Sequence, residues 1–389
     1  MINEQTRSIL IFSLTLVVLC IIVSIFPYEY RDSDSSCYSA ISQRLAFEPL
    51  STWCAPQWWG HGGNQGLFRE HPPGILWLPA LLVRLGARPN VAALCANFIY
   101  LLLSLFFVYK LAGRWGGPIL GWGVALGIIL TPIFLQYLIR ANQEPPLNLA
   151  VLAGIYGLAR CQEDRRGGWI FMAALVLAVL IKGISVLLLS MLAGLFWLIV
   201  ARNRRTFVLI VIGHLIVAAV MVLFELWYRG VAHQSFWQIY YSIQSARSLG
   251  GHFNLLRKGY NIAWYAARVL WFSAPWTIYL IYEAIVSPKK KFDFFRDSFV
   301  RYLFLGSLGI MVFFSFSDRK ADRYIFPAYI LLALVGVAAF LKVRPKIMDL
   351  LRRQERRLPM ILSFLLVGLT FLRIFFHSHL YRFIRFWPQ

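Results

Sequence analysis

Charge is scarce in this chain: Asp, Glu, Lys and Arg make up 14% of it, against 59% hydrophobic residues, where soluble domains carry about a quarter charged residues. That shortage excludes a soluble globular domain, and the apolar excess excludes a disordered chain. Acids are the rarer sign, 17 against 39 Lys and Arg, for a formal net charge of +22. On a soluble protein such a balance points to nucleic acid. Here no basic domain stands outside the apolar runs, so no nucleic-acid partner is expected, and the anions at hand are membrane lipid headgroups and phosphate-bearing lipids. Cysteine is sparse as well: five residues without CxxC spacing supply no metal framework. Cys37 and Cys54 share one loop and either pair or stay free. Internal repeats, low-complexity tracts and a soluble domain after the last apolar run are all missing.

What the chain has is apolar length and aromatic rings, with 14 Trp and 18 Tyr suited to helix ends at a lipid–water interface. Runs near 9–26, 91–109, 118–138, 207–227, 263–286, 299–316, 324–341 and 358–376 approach the about 20 residues a spanning helix needs. A shorter run covers 147–159. The stretch 169–201 would be roughly 50 Å long as one helix, too long for a ~30 Å hydrocarbon core, so it reads as a hairpin of two short helices turning at Lys182-Gly183. The sum is an all-α integral membrane bundle of about eleven crossings, one domain over 1–389.

Loop charge supports that count. With a cytoplasmic N-terminus, the basic loops at Lys110/Arg114, Arg160/Arg165/Arg166, Arg202/Arg204/Arg205, Lys289/Lys290/Lys291 and Lys342 to Arg357 all fall inside. The first run lacks a small-residue cleavage site and reads as a retained anchor. Residues 74–86, too short to span, are placed as an interfacial or re-entrant helix within a large first outer loop, 27–90. The remaining outer segments are 139–146, the turn at 182, 228–262, 317–323 and the tail after 376. Within that tail His377, His379, Tyr381, Arg382 and Arg385 read as an interfacial anchor, and GHGGN at 60–64 reads as a flexible loop.

The scarce acids gather on the outer face: Glu29, Asp32, Asp34, Glu48 and Glu70 in the first loop, Glu144 in the second, Asp318 and Asp322 later. Arg69, Arg140, Lys182, Arg319, Lys320 and Arg323 join them against the topological bias. Charges kept at membrane depth or against that bias mark a pathway or a site.

Five segments then become familiar: YRDSDSSCYSAISQRLA (30–46), REHPPGILWLPALLVRLG (69–86), RANQEPPLNLAVLAGIYGLAR (140–160), LIKGISVLLL (180–189) and KADRYIFPAYILLALVG (320–336). In this order they resemble the GT-C superfamily of polyprenyl-phosphate-sugar glycosyltransferases, most nearly the protein O-mannosyltransferases and the bacterial aminoarabinose lipid A transferases. Ser35 stands where the family usually has a second acid, Glu144 where Asp is commoner, and Gly74 where Leu follows the prolines.

The resemblance implies transfer of a sugar, with inversion, from a polyprenyl-phosphate donor such as undecaprenyl phosphate to an acceptor hydroxyl on the periplasmic face of a bacterial inner membrane. The acceptor is a glycolipid such as lipid A, a polysaccharide or a protein. Asp34 takes the place of the general base, with Asp32 as runner-up and Glu144 as a further catalytic candidate. Lys182, Arg323 and Lys320 are placed around the carrier phosphate, with Arg69, Arg140 and His71 as further ligands. Tyr38 and Tyr324 are expected along the sugar pocket. No cofactor is required; a divalent cation on Glu70, His71 and Glu144 is left open. The alternatives are a lipid-linked-sugar transporter or flippase and a non-catalytic envelope assembly subunit.

Overall fold

The computed structural model describes residues 4–26, 30, 32–249, 255–286, 295–317 and 319–375. Asp318, Lys289 to Lys291, Glu29 and the expected interfacial tail with His377, His379, Tyr381, Arg382 and Arg385 lie outside the described residues.

Helix α1 (Glu4–Ile25) leads to α2 (Ser33–Ala46), a β-hairpin of β1 (Gly63–Asn64) and β2 (Leu67–Phe68), and α3 (Gly74–Arg84). The hairpin replaces the expected flexible loop at 60–64: Gln65 and Gly66 both take positive φ, 50° and 78°, as a two-residue I′-type turn requires. α3 is the short helix read from 74–86, lying between the first two long helices in sequence.

Helix α4 (Pro89–Ile129) is two arms folded about Gly116-Gly117, with Gly117 at φ +77 and Pro118 opening the second arm. The expected span 118–138 breaks again after Ile129. Thr131 caps a separate α5 (Pro132–Tyr137) by accepting from the Phe134 amide at 3.4 Å. Helices α6 (Glu144–Arg160), α7 (Arg166–Lys182) and α8 (Ser185–Ile199) follow. The turn between α7 and α8 falls at Gly183, as the length argument required. α6 and α7 pack backbone to backbone, since a Cβ on Gly157 would lie 2.5 Å from the Phe171 amide nitrogen.

Beyond them come α9 (Arg204–Ala232), α10 (Phe236–Leu249), α11 (Leu255–Phe272) and α12 (Trp276–Val286). The run expected as one span over 263–286 is instead divided between α11 and α12, which meet at 103°. Helices α13 (Ser298–Ser315), α14 (Phe326–Lys342), α15 (Pro345–Arg353) and α16 (Leu358–Phe375) complete the bundle. The core is apolar along nearly the whole of α14, and Gly127 and Gly336 let Trp276 wedge between α4 and α14. Five described helices are long and apolar enough to cross a membrane, six if the bent α11/α12 pair is one span. The remaining members of the expected eleven are shorter or broken. Cys37 and Cys54 are free thiols, and burial pushes them up to about 11 and about 12.

Candidate active site

Six separate chain segments meet at one end of the bundle around a cavity of about 710 Å³. The first is the start of α2. Asp32 caps this helix, its carboxylate accepting from the Ser35 amide at 2.9 Å, so Asp34, in the first turn, is free of capping duty. The Ser35 hydroxyl accepts from the Ala141 amide at 2.9 Å and pins α2 to the second segment. Asp34 then faces the cavity and forms an ion pair with Arg323.

Arg323 comes from a short 3-10 turn, Asp322–Ile325, ahead of α14. Its Nε lies 4.0 Å from Glu144 Oε1. Burial opposes charge on this guanidinium, but Glu144 and Asp34 beside it hold its pKa above the ordinary arginine value. The chain leading into that turn is held at the end of α13: Lys258 donates to the Phe316 carbonyl at 2.7 Å, and Asn261 donates to Ser315 and Ser317 carbonyls at 3.0 and 3.1 Å. Both thereby satisfy the C-terminal carbonyls of α13, where a cation also suits the helix dipole.

Lys182 ends α7 at 5% exposure, and its ammonium makes no hydrogen bond. It sits 4.8 Å from the centre of the Tyr324 ring. Such a buried cation is costly unless something answers it; Tyr324 supplies a π face. Gly183 is required next to it because a Cβ would lie 2.8 Å from Trp237 and 3.0 Å from Tyr240 of α10. The Tyr240 hydroxyl accepts from the Ile184 amide at 3.1 Å, fastening α10 over the Lys182 turn.

Glu70 and His71 line the cavity from the first loop, and Gln244 of α10 donates to the Glu70 carbonyl at 2.8 Å. Tyr38 lines it as well. Burial pushes its phenol well above the usual range, with the Asp34, Glu144 and Glu70 carboxylates adding and Arg323 opposing. The apolar part of the lining comes from Ile184, just ahead of α8, and Leu187 of α8, with Phe313, Phe314 and Phe316.

Seven expected residues therefore share one cavity: Asp34, Tyr38, Glu70, His71, Lys182, Arg323 and Tyr324. Others stand apart. Glu144, 1% exposed, lies behind Arg323 and is not on the cavity wall. Arg69 is fully buried and turned away, donating to Gln234 Oε1 at 2.7 Å and to the Asn64 carbonyl at 3.1 Å; it clamps the hairpin to the α9–α10 junction. The Lys320 ammonium rests 4.1 Å from the centre of the Tyr260 ring, outside the cavity lining. Arg140 is buried, 5.7 Å from the Tyr137 ring, and is not a lining residue either. Among the described residues no group of three or more His, Cys, Asp or Glu side chains is arranged to hold a metal ion, and Glu70, His71 and Glu144 do not form one. Sequence reasoning missed the α10 ledge of Tyr241, Ser242, Gln244 and Ser245. Neutral polar residues on a loop helix carry no signal of their own.

The arrangement is a many-helix bundle whose acid-bearing first loop meets buried cations from later helix ends. Residues 70–228 match the family profile described as dolichyl-phosphate-mannose-protein mannosyltransferase. The chain is 24% identical over 313 residues to an undecaprenyl phosphate-alpha-4-amino-4-deoxy-L-arabinose arabinosyl transferase of Pseudomonas fluorescens, covering 78% of this chain and 54% of that protein. It thus spans about half the length of this curated relative. The crystal structure of ArnT from Cupriavidus metallidurans bound to undecaprenyl phosphate superposes at TM-score 0.70 with 17% identity, over 88% of this chain and 62% of that one. An archaeal oligosaccharyltransferase, AglB from Archaeoglobus fulgidus, in complex with an inhibitory peptide and a dolichol-phosphate, superposes at 0.55 with 10% identity, over 95% of this chain and 56% of the other. The chain therefore shares the fold of these membrane glycosyltransferases and is similar in sequence to them over part of its length.

Proposed function

We propose that the protein is a membrane glycosyltransferase that moves a sugar from a polyprenyl-phosphate carrier, of the undecaprenyl type, to an acceptor hydroxyl at the periplasmic face of a bacterial inner membrane. The observation that carries this reading is one cavity holding a carboxylate, two cations and an apolar wall: Asp34, Lys182, Arg323 and the Phe313/Phe314/Phe316 side. Those are the parts the reaction needs.

Asp34 accepts the proton of the acceptor hydroxyl as its oxygen attacks the anomeric carbon from the face opposite the carrier, which inverts that centre. The bond from the anomeric carbon to the phosphate oxygen breaks, and its electron pair stays on the phosphate. Lys182 and Arg323 offset that growing charge, the first as a point charge and the second as a fork. The ion pair between Asp34 and Arg323 gives the binding order a purpose: a carrier phosphate drawing on Arg323 loosens its hold on Asp34 and leaves the carboxylate for the acceptor. Glu144 acts from behind, holding Arg323 in place. The α10 ledge, with Tyr241 and Gln244, faces the sugar or the acceptor. Glu70, His71 and Glu144 do not come together as one group among the described residues, and the steps above are carried by Asp34, Lys182 and Arg323.

The test is a mass-spectrometric comparison of envelope glycolipids, polysaccharides and glycoproteins from cells carrying the wild type, a deletion or Asp34→Asn at matched membrane abundance. A sugar missing from the same acceptor in both mutants is the expected result and names that acceptor. A sugar missing in the deletion alone would instead favour a transporter or an assembly subunit.

A further inference from the structure

At the end of the bundle away from Asp34, a second cavity of about 520 Å³ opens between α1, both arms of α4 and the start of α16, a size within the about 300–1,000 Å³ of ligand pockets. Its formation follows from glycine. The Gly116-Gly117 turn folds the second arm of α4 back on the first, and Gly121 permits contact, since a Cβ there would lie 2.6 Å from the Tyr109 carbonyl. The back wall is then aromatic: the Tyr109 and Trp122 rings are 4.4 Å apart, and Phe12 of α1 stacks on Trp122 at 5.8 Å. Leu16, Ile99 and Leu103 continue the lining along the bundle.

The rim is charged. Lys110 closes one side, half-buried against Phe106 and Tyr109, and Arg356 stands exposed on the other, with Glu355 beside it. No carboxylate lies within ion-pair distance of Lys110 or Arg356 among the described residues. Arg356 also belongs to a strongly basic stretch, with Lys342, Arg344, Lys346, Arg352, Arg353 and Arg357 against Asp349 and Glu355. α15 within that stretch presses Leu351 towards Gly123 of α4, so the basic surface is fixed beside the cavity mouth.

From an apolar slot as deep as several helix turns with two unpaired cations at its mouth, we infer that this cavity is a binding site for an anionic phospholipid of the leaflet opposite the sugar-transfer site. An acyl chain lies against Leu16, Ile99 and Leu103. The headgroup phosphate sits between Lys110 and Arg356. Charge complementarity selects the occupant: a zwitterionic lipid would bring a cation of its own to a rim already dominated by basic residues. The site joins α1 and α16 to α4 through a lipid, and it stands independently of the catalytic reading.

The purified full chain in detergent is titrated with phosphatidylglycerol and, separately, phosphatidylcholine, and bound lipid is counted by native mass spectrometry while the thermal midpoint is followed. One tightly held phosphatidylglycerol with a raised midpoint is expected, and phosphatidylcholine is held more weakly. Two cations near a headgroup are together worth roughly tenfold or more in affinity, so Lys110→Gln with Arg356→Gln should lose that selectivity. Leu103→Trp, which fills the slot and leaves the charges, should lose it too. Arg352→Gln with Arg353→Gln keeps the slot and its rim and should retain it. Equal retention of the two lipids, wild-type retention in the rim or slot variants, or equal loss in the Arg352/Arg353 control would overturn the inference.

Discussion

Asp32 and Asp34 are two residues apart and do different work. The first accepts from the Ser35 amide and starts α2; the second points into the cavity and pairs with Arg323. Asp34→Asn should therefore lower sugar transfer about 10²–10⁴-fold, the usual worth of a positioned base, with the thermal midpoint little changed. Asp32→Asn keeps an oxygen for the cap and should be close to neutral, whereas Asp32→Ala should cost about 1 kcal/mol of stability. Turnover and thermal unfolding measured together separate the roles, and full activity in Asp34→Asn would remove the base assignment. Lys182 is a second residue-scale case. Lys182→Met takes away a buried cation that makes no hydrogen bond, so binding of undecaprenyl phosphate should weaken by about tenfold or more. Lys182→Arg should recover part of it. Unchanged carrier affinity in Lys182→Met would exclude this lysine from the phosphate site.

How far such residues were legible in sequence depended on what charge can and cannot say. Asp34, Lys182 and Arg323 stood out because a charge at an outer helix end is rare in so apolar a chain, and all three reach the cavity. Arg69 and Lys320 stood out for the same reason, yet their side chains turn to the hairpin and to the Tyr260 ring. Position along the chain does not fix side-chain direction.

Among the elements, α3 shows why a departure from a family pattern need not weaken it. Gly74 stands where Leu was expected after the paired prolines, and the structure gives a reason: a Cβ there would lie 2.6 Å from the Leu180 carbonyl of α7. Its absence lets α3 rest on the last turn of α7, which brings Glu70-His71 alongside Lys182. Gly74→Val must push these backbones apart and should cost about 1–3 kcal/mol, as overpacking does. A shift in unfolding midpoint accompanied by weaker carrier binding is expected. An unchanged midpoint would mean α3 yields freely. The short α7 and α8 were legible because their combined length cannot fit one crossing. The bend between α11 and α12 was not, since continuous hydropathy over 263–286 carries no trace of a 103° turn.

Across the whole molecule, the loops sort into two ends. Each expected outer segment with described residues contributes to the cavity: Asp34 and Glu70 from 27–90, Gln143 from 139–146, Lys182 from its turn, Gln244 from 228–262 and Arg319 from 317–323. The expected inner loops meet one another elsewhere. Arg114 pairs with Glu163 at 2.8 Å, and Asn203 donates to Gln162 at 3.0 Å. Parity of crossings is thus a stronger inference than their number, because two broken spans altered the helix list without moving any of these loops to the wrong end. His61 and Arg165 are both exposed, and with the site outward, as proposed, the expected topology puts them on opposite sides of the membrane. In a chain with its five cysteines replaced, His61→Cys should react with a membrane-impermeant maleimide applied from the periplasm. Arg165→Cys should react only after the inner membrane is opened. Labelling of Arg165→Cys alone from the periplasm would invert the orientation and put the cavity on the cytoplasmic side; labelling of both from one side would break the parity itself.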